Sequence, residues 1–384
     1  MHPYDRIRVE DLVRRGSMKW TLHGPDVVAA WIAEMDFPTA EPIAAALRAA
    51  VARGYTGYPP YDDATGLPAV TADRLAAAGL SVPAGRVRLL PDVLKGVELA
   101  IELYSPAGSP VVVPTPAYPP FFEVVRVCGR EVVEVPMVRT DAGREFDLAA
   151  IDAALGAGAG TVIVCNPHNP LGQVFGAPEL AAVADVVAAH GARVVADEVH
   201  APLVYPGATY VPYATVSPAA AAHSVTLTSA SKGWNLPGLK CAQIALTSPA
   251  DVESWDALPV LRVLGASTLG IVANLAAYTE GAAWLADTVA YLDGNRTLLG
   301  ELLAEHLPDA GYVAPAGTYL SWLDCRRLGL ADPAGFFLAE ARVAVNDGAA
   351  FGAVGRGFVR LNFATSRPIL TRAVTAMGAA VAGR

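Results

Sequence analysis

The chain has 384 residues, 53% of them hydrophobic and 17% charged, with a formal net charge of −9. At about 100–200 residues per domain this length predicts two or three domains with real cores, and the apolar content excludes a disordered chain. The acidic balance argues against nucleic acid or an anionic membrane as the main partner.

No run approaches about 20 uninterrupted apolar residues, so a membrane span is not expected. The start, Met1-His2-Pro3-Tyr4-Asp5-Arg6, lacks the apolar core of a signal peptide. Cys128, Cys165, Cys241 and Cys325 are scattered, with no C-x-x-C pair and no Cys/His metal spacing. The expectation is a cytoplasmic protein without a metal.

In chain order, Val87–Leu90 reads as a strand leading into a helix from Asp92 to Tyr104. Val111–Val113 precedes Pro114-Thr115-Pro116-Ala117-Tyr118. Thr161–Cys165, a helix around Pro178–Ala189, Arg193–Ala196 and Ser224–Thr228 come next. Short β-branched runs alternating with longer amphipathic stretches predict an α/β fold with a mainly parallel sheet covered by helices. From about Ala282 the pattern changes to a helix, short strands near Tyr319–Leu323 and Phe358–Asn362, and a closing helix. That part predicts a smaller α+β unit.

Open α/β sheets bind ligands beyond the carboxyl ends of their strands. There the sequence delivers Tyr118, then Asn166-Pro167-His168-Asn169-Pro170-Leu171-Gly172, then Asp197-Glu198-Val199-His200, then Ser229-Ala230-Ser231-Lys232. A lysine after a strand, between small hydroxyl residues and a Gly-Trp-Asn-Leu-Pro-Gly run, suits a buried amine that forms a Schiff base. Alone, Lys232 reads as an ordinary loop lysine; its company reverses that reading. Asp197 closes an apolar strand and needs either a cationic ligand or a salt bridge with an arginine. His200 reads equally as a ligand contact or a helix-start histidine.

Asn169 fits a ligand contact or an Asx turn, and Tyr118 a ligand face or a loop aromatic. Ser229 and Ser231 fit a phosphate site or a helix cap. The helix start at Asp92-Val93-Leu94 could serve an anion. Arg360, on the apolar strand Phe358–Asn362, wants a carboxylate, either a substrate's or a structural aspartate's. Gly156-Ala157-Gly158-Ala159-Gly160 precedes a strand and does not satisfy G-x-G-x-x-G, which disfavours a nicotinamide enzyme. No Walker lysine, G-x-S-x-G elbow or H-E-x-x-H motif is present.

Asn166–Gly172, Asp197–His200 and Ser229–Lys232 together resemble fold-type I pyridoxal-phosphate (PLP) enzymes of aminotransferase class I/II. Ala33-Glu34-Met35-Asp36-Phe37, Gly54-Tyr55-Thr56-Gly57-Tyr58, Thr115–Tyr118, Asn235–Lys240 and Gly357–Asn362 are similar to one branch, the MalY/PatB-type carbon–sulfur β-lyases, or cystathionine β-lyases. The resemblance runs from about Lys19 to Arg367. It implies an N-terminal segment (1–48) joining a small C-terminal domain (282–384), a large PLP-binding domain (49–281) and a homodimer.

Carried over, the resemblance implies that Lys232 holds the cofactor as a Schiff base and moves the proton. Asp197 would pair with the pyridine nitrogen. Asn169 and His200 would lie near the ring's phenolic oxygen, and Tyr118 against the ring face. Ser229, Ser231, Lys240 and the backbone of Val93 and Leu94 would bind the phosphate, with Tyr58 reaching it from the neighbouring subunit. Arg360, with Asn169 and Tyr118 beside it, would hold the substrate carboxylate. Trp31, Tyr61 and Trp234 are candidates for the substrate-side pocket.

Two positions depart from the superfamily pattern. Leu171 stands where threonine is commoner, and Lys240 where many aminotransferases place an arginine; a point charge there replaces a bidentate fork. The expected reaction is β-elimination on L-cystathionine or a related S-substituted cysteine, giving thiol, pyruvate and ammonia. An aminotransferase would use the same Lys232, Asp197 and Arg360, and a non-catalytic binding protein on the same fold is the remoter alternative.

Overall fold

The computed structural model describes residues 1–140 and 143–384. Its main sheet has seven strands: β1 (Val87–Leu90), β2 (Val111–Thr115), β3 (Val132–Pro136), β4 (Thr161–Cys165), β5 (Arg193–Asp197), β6 (Ser224–Thr228) and β7 (Ala242–Leu246). Their spatial order is β1-β7-β6-β5-β4-β2-β3. Every neighbouring pair is parallel except the two made by β7, which runs antiparallel to β1 and β6. The mainly parallel expectation holds.

These strands are apolar because the sheet is buried on both faces. Along β2, Val111 and Val113 join one core layer and Val112 the opposite one. Side chains alternate faces at each residue, so a strand covered on both sides has no solvent-facing position and reads as a continuous β-branched run. The sequence reading misses β3 and β7. β3 is an edge strand whose Glu134 is exposed and whose last residue is Pro136, both weak strand signals. β7 is Ala-Gln-Ile-Ala-Leu, where tertiary burial overrides low β-propensity.

The antiparallel β7 matters for the site. Gln243 pairs with Thr228 and Ala242 with Leu90, so the start of β7 lies at the same edge as the ends of β6 and β1. Lys240 and Cys241 thereby arrive beside Ser229–Lys232 and beside the helix Val93–Tyr104, whose N-cap Asp92 accepts a hydrogen bond from the Lys95 amide.

A second, antiparallel sheet comes later in the chain: β8 (Gly311–Tyr312), β9 (Leu320–Asp324), β10 (Asn346–Asp347) and β11 (Phe358–Asn362), in the order β8-β9-β11-β10. The helices Ala282–His306 and Arg367–Ala382 pack against each other beside it. The N-terminal residues Tyr4, Leu12, Trp20 and Phe37 share this core with Phe337, Phe363 and Val374. Val28–Ala29 also pairs, parallel, with Val343–Ala344. The chain then crosses back toward the main sheet through residues 32–36. This strap is pinned by Asn362, which donates to the carbonyls of Ile32 and Glu34 (2.6 and 2.8 Å), and by Asn235, which bonds both the N–H and the carbonyl of Met35 at 2.8 Å.

Candidate active site

A cavity, open at its mouth, lies beyond the carboxyl ends of β4, β5 and β6. Lys232, Asp197, His200, Asn169, Tyr118, Ser229, Ser231, Lys240, Val93 and Leu94 all line it. These residues come from several separate stretches of sequence. The sheet edge brings them together because each stretch lies next to a strand terminus at that edge.

Lys232 sits in the short helix Ala230–Gly233, just after β6, and its Nζ donates to the Ala33 carbonyl at 2.9 Å. Burial pulls its pKa down to about 8; Arg360 adds to this, while Asp197 and Glu34 oppose it. A substantial neutral-amine fraction therefore exists near pH 8. Asp197 is 5% exposed and ends β5. Its Oδ1 accepts the Val199 N–H at 3.1 Å, and among the described residues it forms no ion pair. Burial pushes its carboxyl up to about 6, against the pull of the Val199 N–H and Lys232. The salt-bridge reading of Asp197 is thus set aside: a buried carboxylate faces the cavity without a cation.

His200 is not a helix-start residue. It lies in a turn after β5, 2% exposed, and its Nδ1 has no partner among the described residues. Burial, with Lys232, Arg360 and His168 nearby, holds it well below the usual histidine range and so neutral. Tyr118 precedes the helix Pro119–Val127, and burial raises its phenol pKa against the opposing charge of Arg360.

At the other end, Ser229 does cap its helix: its hydroxyl accepts from the Ser231 N–H (2.9 Å) and donates to the Cys241 carbonyl (2.7 Å). The Val93 and Leu94 amides open the helix Val93–Tyr104 and so have no intrahelical acceptor. Lys240 is paired with Asp92 at 2.7 Å and is largely exposed. Donors and a helix N-terminus at one end, with a cation-free carboxylate at the other, suit a ligand carrying a phosphate and a protonated nitrogen. The residues present fit pyridoxal phosphate.

Arg360 lies just behind, on β11, 4% exposed. Its Nη1 donates to Asn169 Oδ1 (2.9 Å); its Nη2 donates to Asn346 Oδ1 (2.6 Å) and the Trp31 carbonyl (3.0 Å). Among the described residues no carboxylate pairs with it, which removes the structural-aspartate reading. Burial lowers its pKa to about 10, still a cation at neutral pH.

The structure leaves other candidates outside the cavity. Tyr58 is fully exposed and Tyr61 nearly so. Trp234 is buried, donates to the Gly281 carbonyl at 2.9 Å and carries Arg74 over its ring. Trp31 packs edge-on to His23, and only its carbonyl reaches Arg360. The substrate-pocket assignment of Trp31 and Trp234 is therefore corrected: Trp234 faces the core and Trp31 contributes backbone alone, while Tyr61 does not line this chain's cavity. Sequence reasoning missed Ala33, Cys165 and Asn346. Cys165 could have been found, since it precedes Asn166 at a strand end; a backbone carbonyl could not.

Residues 32–377, nearly the whole chain, match aminotransferase class I and II. The chain belongs to that family. It is 41% identical to cystathionine beta-lyase of Corynebacterium glutamicum, over 94% of this chain and 96% of that one. It is 30% identical to cystathionine beta-lyase PatB of Bacillus subtilis, over 92% and 93%. A crystal structure from Corynebacterium diphtheriae, of a protein assigned as a PLP-dependent beta-cystathionase, superposes with a TM-score of 0.93 at 41% identity, covering 98% of each chain. The family's fold-type I architecture is the one described above.

Proposed function

We propose that this aminotransferase class I/II protein is a PLP-dependent carbon–sulfur β-lyase acting on L-cystathionine or a related S-substituted cysteine. The observation that carries it is the cavity lined by Lys232 and by Asp197, which has no cation partner among the described residues, with Arg360 behind it on the lining residue Asn169 and likewise without a carboxylate. Kinship with cystathionine β-lyases at about two-fifths identity supports the lyase over the aminotransferase.

Lys232 would hold the cofactor's carbonyl end, Asp197 its ring nitrogen, and Ser229, Ser231, Lys240 and the Val93 and Leu94 amides its phosphate. Bound there, pyridoxal phosphate supplies an electron sink for the pair left at Cα. Arg360 binds the substrate carboxylate and orients Cα toward Lys232. Lys232 Nζ, neutral in part near pH 8, takes the Cα proton and can return one to the departing sulfur. Asp197 stays anionic opposite a protonated ring nitrogen, and Asn169 holds Arg360 in place. The net change consumes one water and releases one thiol, one pyruvate and one ammonium per substrate.

The same proposal includes a homodimer in the cytoplasm. The wholly exposed Tyr58, with Tyr61, Leu261 and Leu264 also exposed, leaves apolar surface that supports a second copy. The Thr268 hydroxyl donates to the Gly57 carbonyl at 2.7 Å, tying the Tyr58 loop to the helix Thr268–Glu280. Four free cysteines accord with a reducing compartment. No helix among the described residues is long and apolar enough to cross a membrane.

The test supplies purified protein with pyridoxal phosphate and L-cystathionine, with no keto acid. Equimolar thiol, pyruvate and ammonia, abolished by Lys232→Ala, is the expected result. Release of none, with turnover appearing only once a keto acid is added, would replace the lyase by an aminotransferase.

A further inference from the structure

Arg360 is a buried cation whose acceptors among the described residues are all neutral. Asn346 supplies the shortest of these contacts, its Oδ1 at 2.6 Å from Nη2. The placement is built into the sheet: Asn346 on β10 lies directly opposite Arg360 on β11 in the antiparallel register. Opposite residues of such a pair are about 4.5–5.5 Å apart, within reach of one short amide. On the other side the Phe351 ring faces the guanidinium, its centroid 5.0 Å from the central carbon. The Asn169 amide and the Trp31 carbonyl complete the enclosure.

An aspartate at 346 would have the same size and reach. It would also neutralise Arg360 and occupy it as an internal carboxylate, since ion pairs at this distance in a dry site bind far more tightly than an amide does. A side chain without an acceptor would leave Nη2 on the Trp31 carbonyl alone, its longest contact, with Nε unpartnered among the described residues. A neutral acceptor at 346 helps to aim the fork and leaves its charge for an incoming anion. We infer that Asn346 is a positioning and specificity-determining residue: it orients Arg360 while keeping it unneutralised, so that the guanidinium is left to take a free carboxylate of the incoming ligand. This rests on reading Arg360 as the substrate-carboxylate site.

The experiment uses the cofactor-loaded enzyme and two readouts. One is calorimetric binding of 3-(methylthio)propionate, a carboxylate without an amino group that cannot react with the cofactor. The other is the separation of KM from kcat for L-cystathionine. Asn346→Asp is expected to weaken binding of the probe and to raise KM, each by about tenfold or more, with a much smaller change in kcat. Asn346→Ser, which keeps a neutral acceptor, should stay closer to wild type than Asn346→Ala. If Asn346→Asp does not fold, judged by thermal melting and cofactor absorbance, the Ser and Ala pair decides the matter. Wild-type binding in the Asp and Ala variants, with binding lost in Arg360→Ala, would overturn the role of Asn346 alone. Unchanged probe binding in Arg360→Ala would remove the Arg360 reading and this inference with it.

Discussion

Asp197 and Lys232 face one cavity without pairing. The lysine Nζ is held instead by the Ala33 carbonyl at 2.9 Å, and the carboxylate by the Val199 amide at 3.1 Å. Asp197 is buried and Lys232 half-buried, and each is displaced toward its neutral form, the lysine to about 8 and the aspartate to about 6. A ligand placed between them can then use both, because neither is spent on the other.

Lys232→Ala should therefore abolish cofactor attachment, not merely slow turnover. The visible absorbance of the attached cofactor is expected to vanish, and pyruvate release to fall by a factor on the order of 10³ or more. Retained absorbance would move the attachment point elsewhere.

The cofactor-free protein should respond to pH in two windows. Asp197 has a folded pKa raised from 3.8 to about 6, so the folded state holds the extra proton between those values, and stability falls as pH rises through that range. Lys232 has a folded pKa lowered from 10.5 to about 8, so its burial cost is full below pH 8 and is relieved as pH rises toward 10.5. Asp197→Asn is accordingly expected to stabilise the cofactor-free protein at pH 7 by on the order of 2 kcal/mol, with the difference vanishing below about pH 4. Urea unfolding at pH 4 and pH 7 measures it. An equal effect at both would show that ionisation is not the cause. With cofactor the same variant should lose activity.

Asn235→Ala removes both hydrogen bonds to Met35 and leaves that buried peptide unpaired. A loss of about 1–3 kcal/mol in unfolding free energy is expected. Because the strap also carries the Ala33 carbonyl that holds Lys232, the rate of cofactor attachment should change as well. Stability lost with attachment unaltered would confine Asn235 to a structural role.

Gly172 closes the Asn166–Gly172 loop with φ +66°, and a Cβ there would lie 2.3 Å from Pro315 Cβ. Gly172→Ala combines a left-handed backbone, costing an alanine about 1–2 kcal/mol, with a clash against a rigid ring. A markedly lower melting temperature is expected, together with weaker substrate binding through displacement of Asn169. A variant that melts like wild type would mean that the Pro315 segment yields.

Much of the site was legible from residue order. Val111–Val113, Thr161–Cys165, Arg193–Ala196 and Ser224–Thr228 are apolar because the sheet is covered on both faces. Since these strands run parallel, the residues just past each one must lie at one edge. That reasoning reached Asp197, Asn169 and Lys232 without coordinates. It failed at β7, whose alanines and Gln243 carry no strand signal. Gln243 is tolerated at 0% exposure because the Tyr278 hydroxyl, at 2.9 Å, donates to it.

The sequence by itself determined five of the main sheet's seven strands, the edge where chemistry collects and the residue types found there, because strand burial and strand ends are written in local pattern. Only the tertiary structure decided which charges have partners. Asp197 without a cation, Arg360 among neutral acceptors and Lys232 on the Ala33 carbonyl all depend on contacts between stretches tens to hundreds of residues apart. Electrostatic free energy in a buried site is set by such distances, and no local pattern encodes them.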